Sequence, residues 1–170
     1  VGGAGGSGVV IVRYATIVSY TYDANGGTGT APSGGSVRGA TTFTTEVNPF
    51  TRTGHTFAGW NTAANGSGTA LTQNANNTMP VSGTSIVLYA QWTPISYTIT
   101  YAAGTGGSGS GPTTPVSVNY GSTFTVPANT FTRNGYTFTV WSDGTSTYLA
   151  AATYPATGSV AGNVTLTATW

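Results

Sequence analysis

The residues of this 170-residue chain that could carry chemistry are few and scattered. One histidine, His55, could move a proton near neutral pH. Asp23, Glu46 and Asp143 could act as acids or bases, and Arg13, Arg38, Arg52 and Arg133 could hold an anion. Lysine and cysteine are absent, which excludes disulfides, thiolate metal sites, cysteine nucleophiles and Lys–Asn isopeptide cross-links. A glycosidase needs two carboxylates facing one bond, and a calcium loop needs several acidic oxygens at alternating spacing. Neither pattern is present. Gly3-Ala4-Gly5-Gly6-Ser7-Gly8 has the letters of a dinucleotide-binding turn, but it precedes a strand pattern, so no helix opens behind it to cradle phosphate. Asn65-Gly66-Ser67, Asn76-Asn77-Thr78 and Asn163-Val164-Thr165 have the form of glycosylation sequons, a form that chance supplies readily in an Asn- and Thr-rich chain. Four dispersed arginines and a formal net charge of +1 do not make the basic stripe that nucleic acid requires. This inventory points away from an enzyme, and no cofactor, metal or nucleic acid is expected.

The elements that must position these residues are strands. Charged residues make up 4% of the chain, against about 25% in an ordinary soluble domain. Disorder goes with high net charge and few apolar residues, yet 38% of this chain is hydrophobic and 12% aromatic. Thr, Val, Tyr, Phe and Trp suit a pleated, half-buried surface, and here they recur between Gly, Asn and Pro punctuation. Val9-Val10-Ile11-Val12, the longest apolar run, is broken by Arg13, far short of the roughly 20 residues that span a bilayer as a helix. No membrane insertion is expected, and the Thr-, Gly- and Asn-rich composition without Lys or Cys suits an extracellular or cell-surface protein.

The chain also repeats. Thr51-Arg52-Thr53-Gly54-His55-Thr56-Phe57-Ala58-Gly59-Trp60 returns as Thr132-Arg133-Asn134-Gly135-Tyr136-Thr137-Phe138-Thr139-Val140-Trp141, at an offset of 81 (133 − 52). The same offset relates Val37 to Val118, Phe43 to Phe124 and Phe50 to Phe131. Val18-x-Tyr20-x-Tyr22 matches Tyr97-x-Ile99-x-Tyr101 at 79, and Leu88-Tyr89-Ala90-Gln91-Trp92 matches Leu166-Thr167-Ala168-Thr169-Trp170 at 78. Offsets that drift imply loops of unequal length between fixed elements. The reading is an N-terminal segment, 1–16, followed by two modules, 17–93 and 94–170. Within a module the period is two: Val18, Tyr20 and Tyr22 alternate with polar neighbours and stop at the turn Asn25-Gly26-Gly27. A second strand is expected over Val37–Phe43, a third after Gly54, and a closing one over 86–91. Residues 63–80 leave room for a short helix.

Three motifs in order, Asp23-Ala24-Asn25-Gly26-Gly27, Thr51–Trp60 and Leu88-Tyr89-Ala90-Gln91-Trp92, resemble the Listeria–Bacteroides repeat, the internalin-type B repeat. The resemblance covers both modules. It implies small β-grasp-like modules, each of about four strands with at most one short helix, found in tandem on secreted and surface proteins of bacteria. The second copy departs from the pattern at Ala102-Ala103-Gly104 and at Val140, which stands where the first has Gly59. The segment before the modules is similar to the closing strand of glycine-rich modules in large surface and tail-fibre proteins. Its Val9, Val10, Ile11, Val12 and Tyr14 form a β-strand apolar on both faces, which belongs inside a sheet of this chain or of another.

Set against the fold, most candidates have an unremarkable use. His55 falls where the second copy has Tyr136, so an aromatic filler suffices. Glu46 falls on Pro127 and Asp23 on Ala102, so no carboxylate pair repeats; Asp23 is expected to brace its own turn. Trp60, Trp92, Trp141 and Trp170 either build the cores of small modules or offer faces to a sugar. Arg52 and Arg133 are expected to stack on an aromatic ring or cap local carbonyls. The functional expectation is a non-enzymatic extracellular structural protein, a cell-surface stalk or filament subunit. It would pair with itself through strand edges lacking the charges that normally prevent association, and through the donated strand Val9–Tyr14. The alternative is an adhesin module whose aromatics bind a glycan or host protein.

Overall fold

The alternation of side chains produces strands where expected, and the computed structural model describes residues 16–39, 41–79, 85–112, 116–155 and 158–170. The strand expected at Val9–Tyr14 lies outside these residues. Among the described residues the first copy forms seven strands: β1 (Ile17–Asp23), β2 (Gly35–Arg38), β3 (Thr42–Thr44), β4 (His55–Asn61), β5 (Ala70–Leu71), β6 (Asn76–Thr78) and β7 (Ser85–Pro94). Five make one sheet in the order β2-β1-β7-β4-β5, while β3 and β6 pair separately. At the centre β1 and β7 run parallel, from Ser19 opposite Ser85 to Asp23 opposite Tyr89. On either side the pairing is antiparallel, with Val18 opposite Val37 and Trp60 opposite Leu71. The apolar face carries Val18, Tyr22, Trp60, Leu71, Leu88 and Ala90, all buried. Phe43 of the small β3–β6 ladder lies against it, its ring 5.1 Å from that of Tyr20.

The second copy repeats the arrangement with β8 (Ser96–Ala102), β9 (Val116–Asn119), β10 (Phe124–Thr125), β11 (Val140–Ser142), β12 (Thr147–Tyr148), β13 (Thr153–Tyr154) and β14 (Val164–Thr169). The order β12-β11-β14-β8-β9 is the same sheet read from the other edge, again with its first and last strands, β8 and β14, parallel at the centre. Ile99, Val118, Val126, Trp141, Val160 and Leu166 fill its core.

Three expectations change in detail. The sheet has five strands rather than about four, because a two-residue strand, β5 or β12, adds an edge. Val37–Phe43 is two strands, not one, interrupted by a turn after Arg38. No helix forms among the described residues of 63–80, which contain β5, β6 and the turns around them. The drift in offset has a physical site. Trp60 and Trp141 are 81 apart (141 − 60), but their cross-strand partners Leu71 and Tyr148 are 77 apart (148 − 71), so the loop after the tryptophan strand is four residues shorter in the second copy.

The chain divides into two compact units, but not quite at the repeat boundary. One consists of the described residues up to Phe50 with those of Phe57–Gln91; the other takes Thr51–Thr56 together with the described residues of Trp92–Trp170. Among the described residues no helix is long and apolar enough to cross a membrane.

Candidate functional site

The repeated tryptophans sit where a strand must break its own period. Phe57 and Trp60 are three residues apart and would face opposite ways in a regular strand, yet their rings meet at 5.1 Å. Gly59, at φ +142°, supplies the irregular backbone that turns both inward. Valine cannot adopt that φ, and in the second copy regular strand begins only at Val140, while Phe138 still reaches Trp141 at 5.2 Å. Each indole is then fixed by one hydrogen bond to a backbone carbonyl fourteen residues earlier. Trp60 Nε1 donates to Glu46 at 3.1 Å and Trp141 Nε1 to Pro127 at 3.0 Å. Tyr22 and Phe50 surround Trp60 at 4.7 and 6.1 Å; Tyr101 and Phe131 surround Trp141 at 5.2 and 6.1 Å. Trp60 is 1% exposed and Trp141 0%, so neither offers a face to a ligand. Trp92 and Trp170 are half-buried, and Trp170 Nε1 donates to the Ala103 carbonyl at 2.8 Å.

The groups capable of acid–base chemistry are dispersed and locally engaged. His55 Nδ1 lies 2.9 Å from the Thr53 carbonyl, which as an acceptor requires the proton on that nitrogen. Its ring meets that of Tyr120 edge-on at 5.9 Å. Asp23 accepts from the Asn25 amide at 2.7 Å, the turn brace its position suggests. Arg133 lies over the Tyr136 ring, 3.6 Å from its centroid.

Asp143 is more involved: it accepts from the amides of Thr145 and Ser146 at 2.8 and 2.7 Å and from the hydroxyls of Tyr148 and Tyr154 at 3.2 and 3.3 Å. Burial alone would raise its pKa, but the Ser146 and Thr145 amides, followed by the two tyrosines, outweigh it and hold the carboxyl below its ordinary value. Burial first, and then the Asp143 charge, pushes the Tyr154 hydroxyl up to about 12. This is a carboxylate used to close a tight turn. Among the described residues no three His, Asp or Glu side chains come together as a metal site would need.

Several working residues carry no motif of their own in the sequence. Asn48 clamps Phe50 through both its amide atoms, at 3.0 Å each, and Asn129 clamps Phe131 in the same way at 3.0 and 2.9 Å. The spacing was visible, since Asn48 and Asn129 share the offset of 81 (129 − 48). Asn61 is 3% exposed and ties down its loop by accepting from Ala63 and Gly68 and donating to Gly66. Beside it a cleft of about 450 Å³ opens in the first unit, with Phe57, Leu71, Gln73 and Gln91 on its walls. Trp60 and Asn61 also line it, and both are already engaged in hydrogen bonds.

Two consecutive stretches, 19–91 and 97–169, match the Listeria–Bacteroides repeat domain. The chain belongs to that family. Its two repeats follow each other with five residues, 92–96, between the matched stretches. A protein of Evansella cellulosilytica named as a Gly-rich membrane protein is 34% identical over 107 residues, which is 61% of this chain and 12% of that protein. The matched region is thus a small part of the relative. No solved structure matches the chain significantly.

Proposed function

We propose that the chain is a non-enzymatic structural segment associated with the cell envelope, an extracellular stalk or filament subunit built from Listeria–Bacteroides repeats. The observation that carries the reading is the inward use of the tryptophans and asparagine clamps that the repeats have in common. Both buried tryptophans and both Asn clamps are spent on packing within their own repeat. A spacer is made this way, whereas a catalyst keeps its repeated polar groups facing a cleft. The Evansella relative, a far longer protein with the word membrane in its name, favours a place in an envelope protein.

Self-assembly is the finer part of the proposal. The strands at the sheet edges, β2, β5, β9 and β12, are only two to four residues long, and short edges limit pairing. That shifts the weight onto donation of Val9–Tyr14 to another chain. Electron microscopy of the chain with and without residues 1–16 tests it. Fibres that disappear on truncation are expected; monodisperse particles in both samples would refute assembly and leave a monomeric stalk.

The cleft at Phe57 and Gln91 favours a second reading, glycan binding, because amides beside an aromatic ring suit a sugar. Phe57→Ala and Gln91→Ala would then abolish a glycan-array signal while leaving the circular dichroism spectrum unchanged. Absence of any signal from the unaltered chain would remove this alternative.

A further inference from the structure

Within the second unit the turn Arg52–His55 is seated. The His55 amide closes it on the Arg52 carbonyl at 3.0 Å. The carbonyl of Gly54 accepts from the Ile95 amide at 2.9 Å, and the carbonyl of Ile95 accepts from the Tyr120 amide at 2.7 Å. The Tyr120 ring then lies directly on Gly54, so close that a methyl group there would overlap it. Glycine is required twice over, for the space and for φ +69°.

The same turn recurs as Arg133–Tyr136, closed by the Tyr136 amide on the Arg133 carbonyl at 3.2 Å, with Gly135 at φ +78°. Here, apart from its own chain neighbours, no described residue comes within 4 Å of where a Cβ on Gly135 would stand. Tyr136, in the place of His55, is 56% exposed. One copy of the turn is covered by a ring; the other has nothing over its glycine, and its Tyr136, stacked on one face by Arg133, is otherwise open to solvent.

The covering ring is also particular to one repeat. The Gly39 amide donates to the Thr16 carbonyl at 2.8 Å just as that of Tyr120 does to Ile95, so Gly39 holds the corresponding position in the first repeat, without a ring. A separate copy of this chain cannot cover Gly135, because its Tyr120 already lies on Gly54 and its Gly39 has nothing to offer. The occupant needs an uncovered aromatic at the position of Tyr120. Trp170 stands where Trp92 stands before the link Thr93-Pro94-Ile95, so a repeat attached there would begin at the spacing used by the seated turn.

We propose that the Arg133–Tyr136 turn is the docking surface for a further repeat of this family joined in tandem behind Trp170. That repeat lays its aromatic over Gly135, receives Tyr136 edge-on and donates its Ile95-position amide to the Gly135 carbonyl. The inference does not depend on filament formation.

Hydrogen exchange tests it on the chain extended behind Trp170 by a second copy of residues 93–170. Amides of 134–136, and that of the added copy's Ile95, are expected to exchange about tenfold more slowly than in an extended chain whose added copy carries Tyr120→Gly, the scale of one hydrogen bond and its packing. Exchange at 134–136 unchanged from that of the original chain would overturn the proposal. Slowing that persists with Tyr120→Gly in the added copy would overturn it too, since the contact would not then run through the ring.

Discussion

In the first repeat the Glu46 residue is used at both backbone ends. Its carbonyl accepts from Trp60 and its N–H donates to the Tyr22 hydroxyl at 2.9 Å. In the second, Pro127 holds that place. The carbonyl still accepts from Trp141, but proline has no N–H, and the buried hydroxyl of Tyr101 is without a hydrogen-bond partner among the described residues. The neighbouring packing differs as well. Thr45, 1% exposed, donates to the Thr72 carbonyl and accepts from Asn77, whereas Val126 and Tyr154 occupy the matching positions in the second repeat. The tryptophan anchor survives because any residue at position 46 or 127 supplies a carbonyl, whereas the Tyr22 and Thr45 bonds need an N–H or a hydroxyl that the second repeat has replaced.

The largest effect should come from the shared anchor. Trp60→Ala and Trp141→Ala each remove a buried indole and its hydrogen bond, a loss of about 3–5 kcal/mol. Urea denaturation followed by NMR, with peaks from both repeats, should show each substitution unfolding its own repeat to a similar degree. Markedly unequal losses would break the equivalence of the two cores.

Next is the seated glycine against the bare one. Gly54→Val forces a side chain into the Tyr120 ring as well as an unfavourable φ, and should cost about 2–4 kcal/mol. Gly135→Val meets only the φ penalty, about 1 kcal/mol. Thermal melts of the two variants should differ in that order, and equal shifts would deny that Tyr120 covers Gly54.

How much of this was legible follows from what a pattern can encode. The period of two, the turn glycines and the twin Trp motifs prescribed the strands and the repeat, because alternation and φ > 0 are local properties. The β5 and β12 edges were not readable: two residues such as Ala70-Leu71 have no period, and only the loop returning from Trp60 makes them a strand. The seat of Gly54 was hidden for another reason. Tyr120 lies 66 residues downstream (120 − 54) and has no counterpart ring in the first repeat, so the offset comparison passed over it. The turn brace of Asp23 was legible because its partner is two residues away, whereas the bond of His55 to the Thr53 carbonyl has no sign in a position expected to hold an aromatic filler.

Acid and alkali separate the repeats on a smaller scale. Asp143 is held below its ordinary pKa, so its contribution is present at neutral pH and is lost as the pH falls below about 4. Tyr154, raised to about 12, favours the folded form while neutral. Its contribution is complete below about pH 10 and disappears as the pH climbs from there through 12, because the unfolded chain ionises first. Asp143→Asn should flatten the acid limb and remove about 1 kcal/mol at neutral pH. Near-ultraviolet melts between pH 2 and 12 check both limbs, and an acid limb unchanged by the substitution would assign it to another carboxylate.

The finest distinction rests on two hydroxyls. Tyr22→Phe deletes the partner of the Glu46 N–H, leaves that donor unsatisfied and should cost about 1 kcal/mol. Tyr101→Phe deletes an oxygen that is buried without a partner among the described residues, so desolvation is relieved and the change should be neutral or stabilising by a few tenths of a kcal/mol. Pro127→Ala supplies the second repeat with the N–H it lacks, and Tyr101→Phe made on that background should then become destabilising, as Tyr22→Phe is in the first. A double-mutant cycle on these positions measures the missing bond directly. Coupling of zero between positions 101 and 127 would mean that the proline is not what leaves the Tyr101 hydroxyl alone.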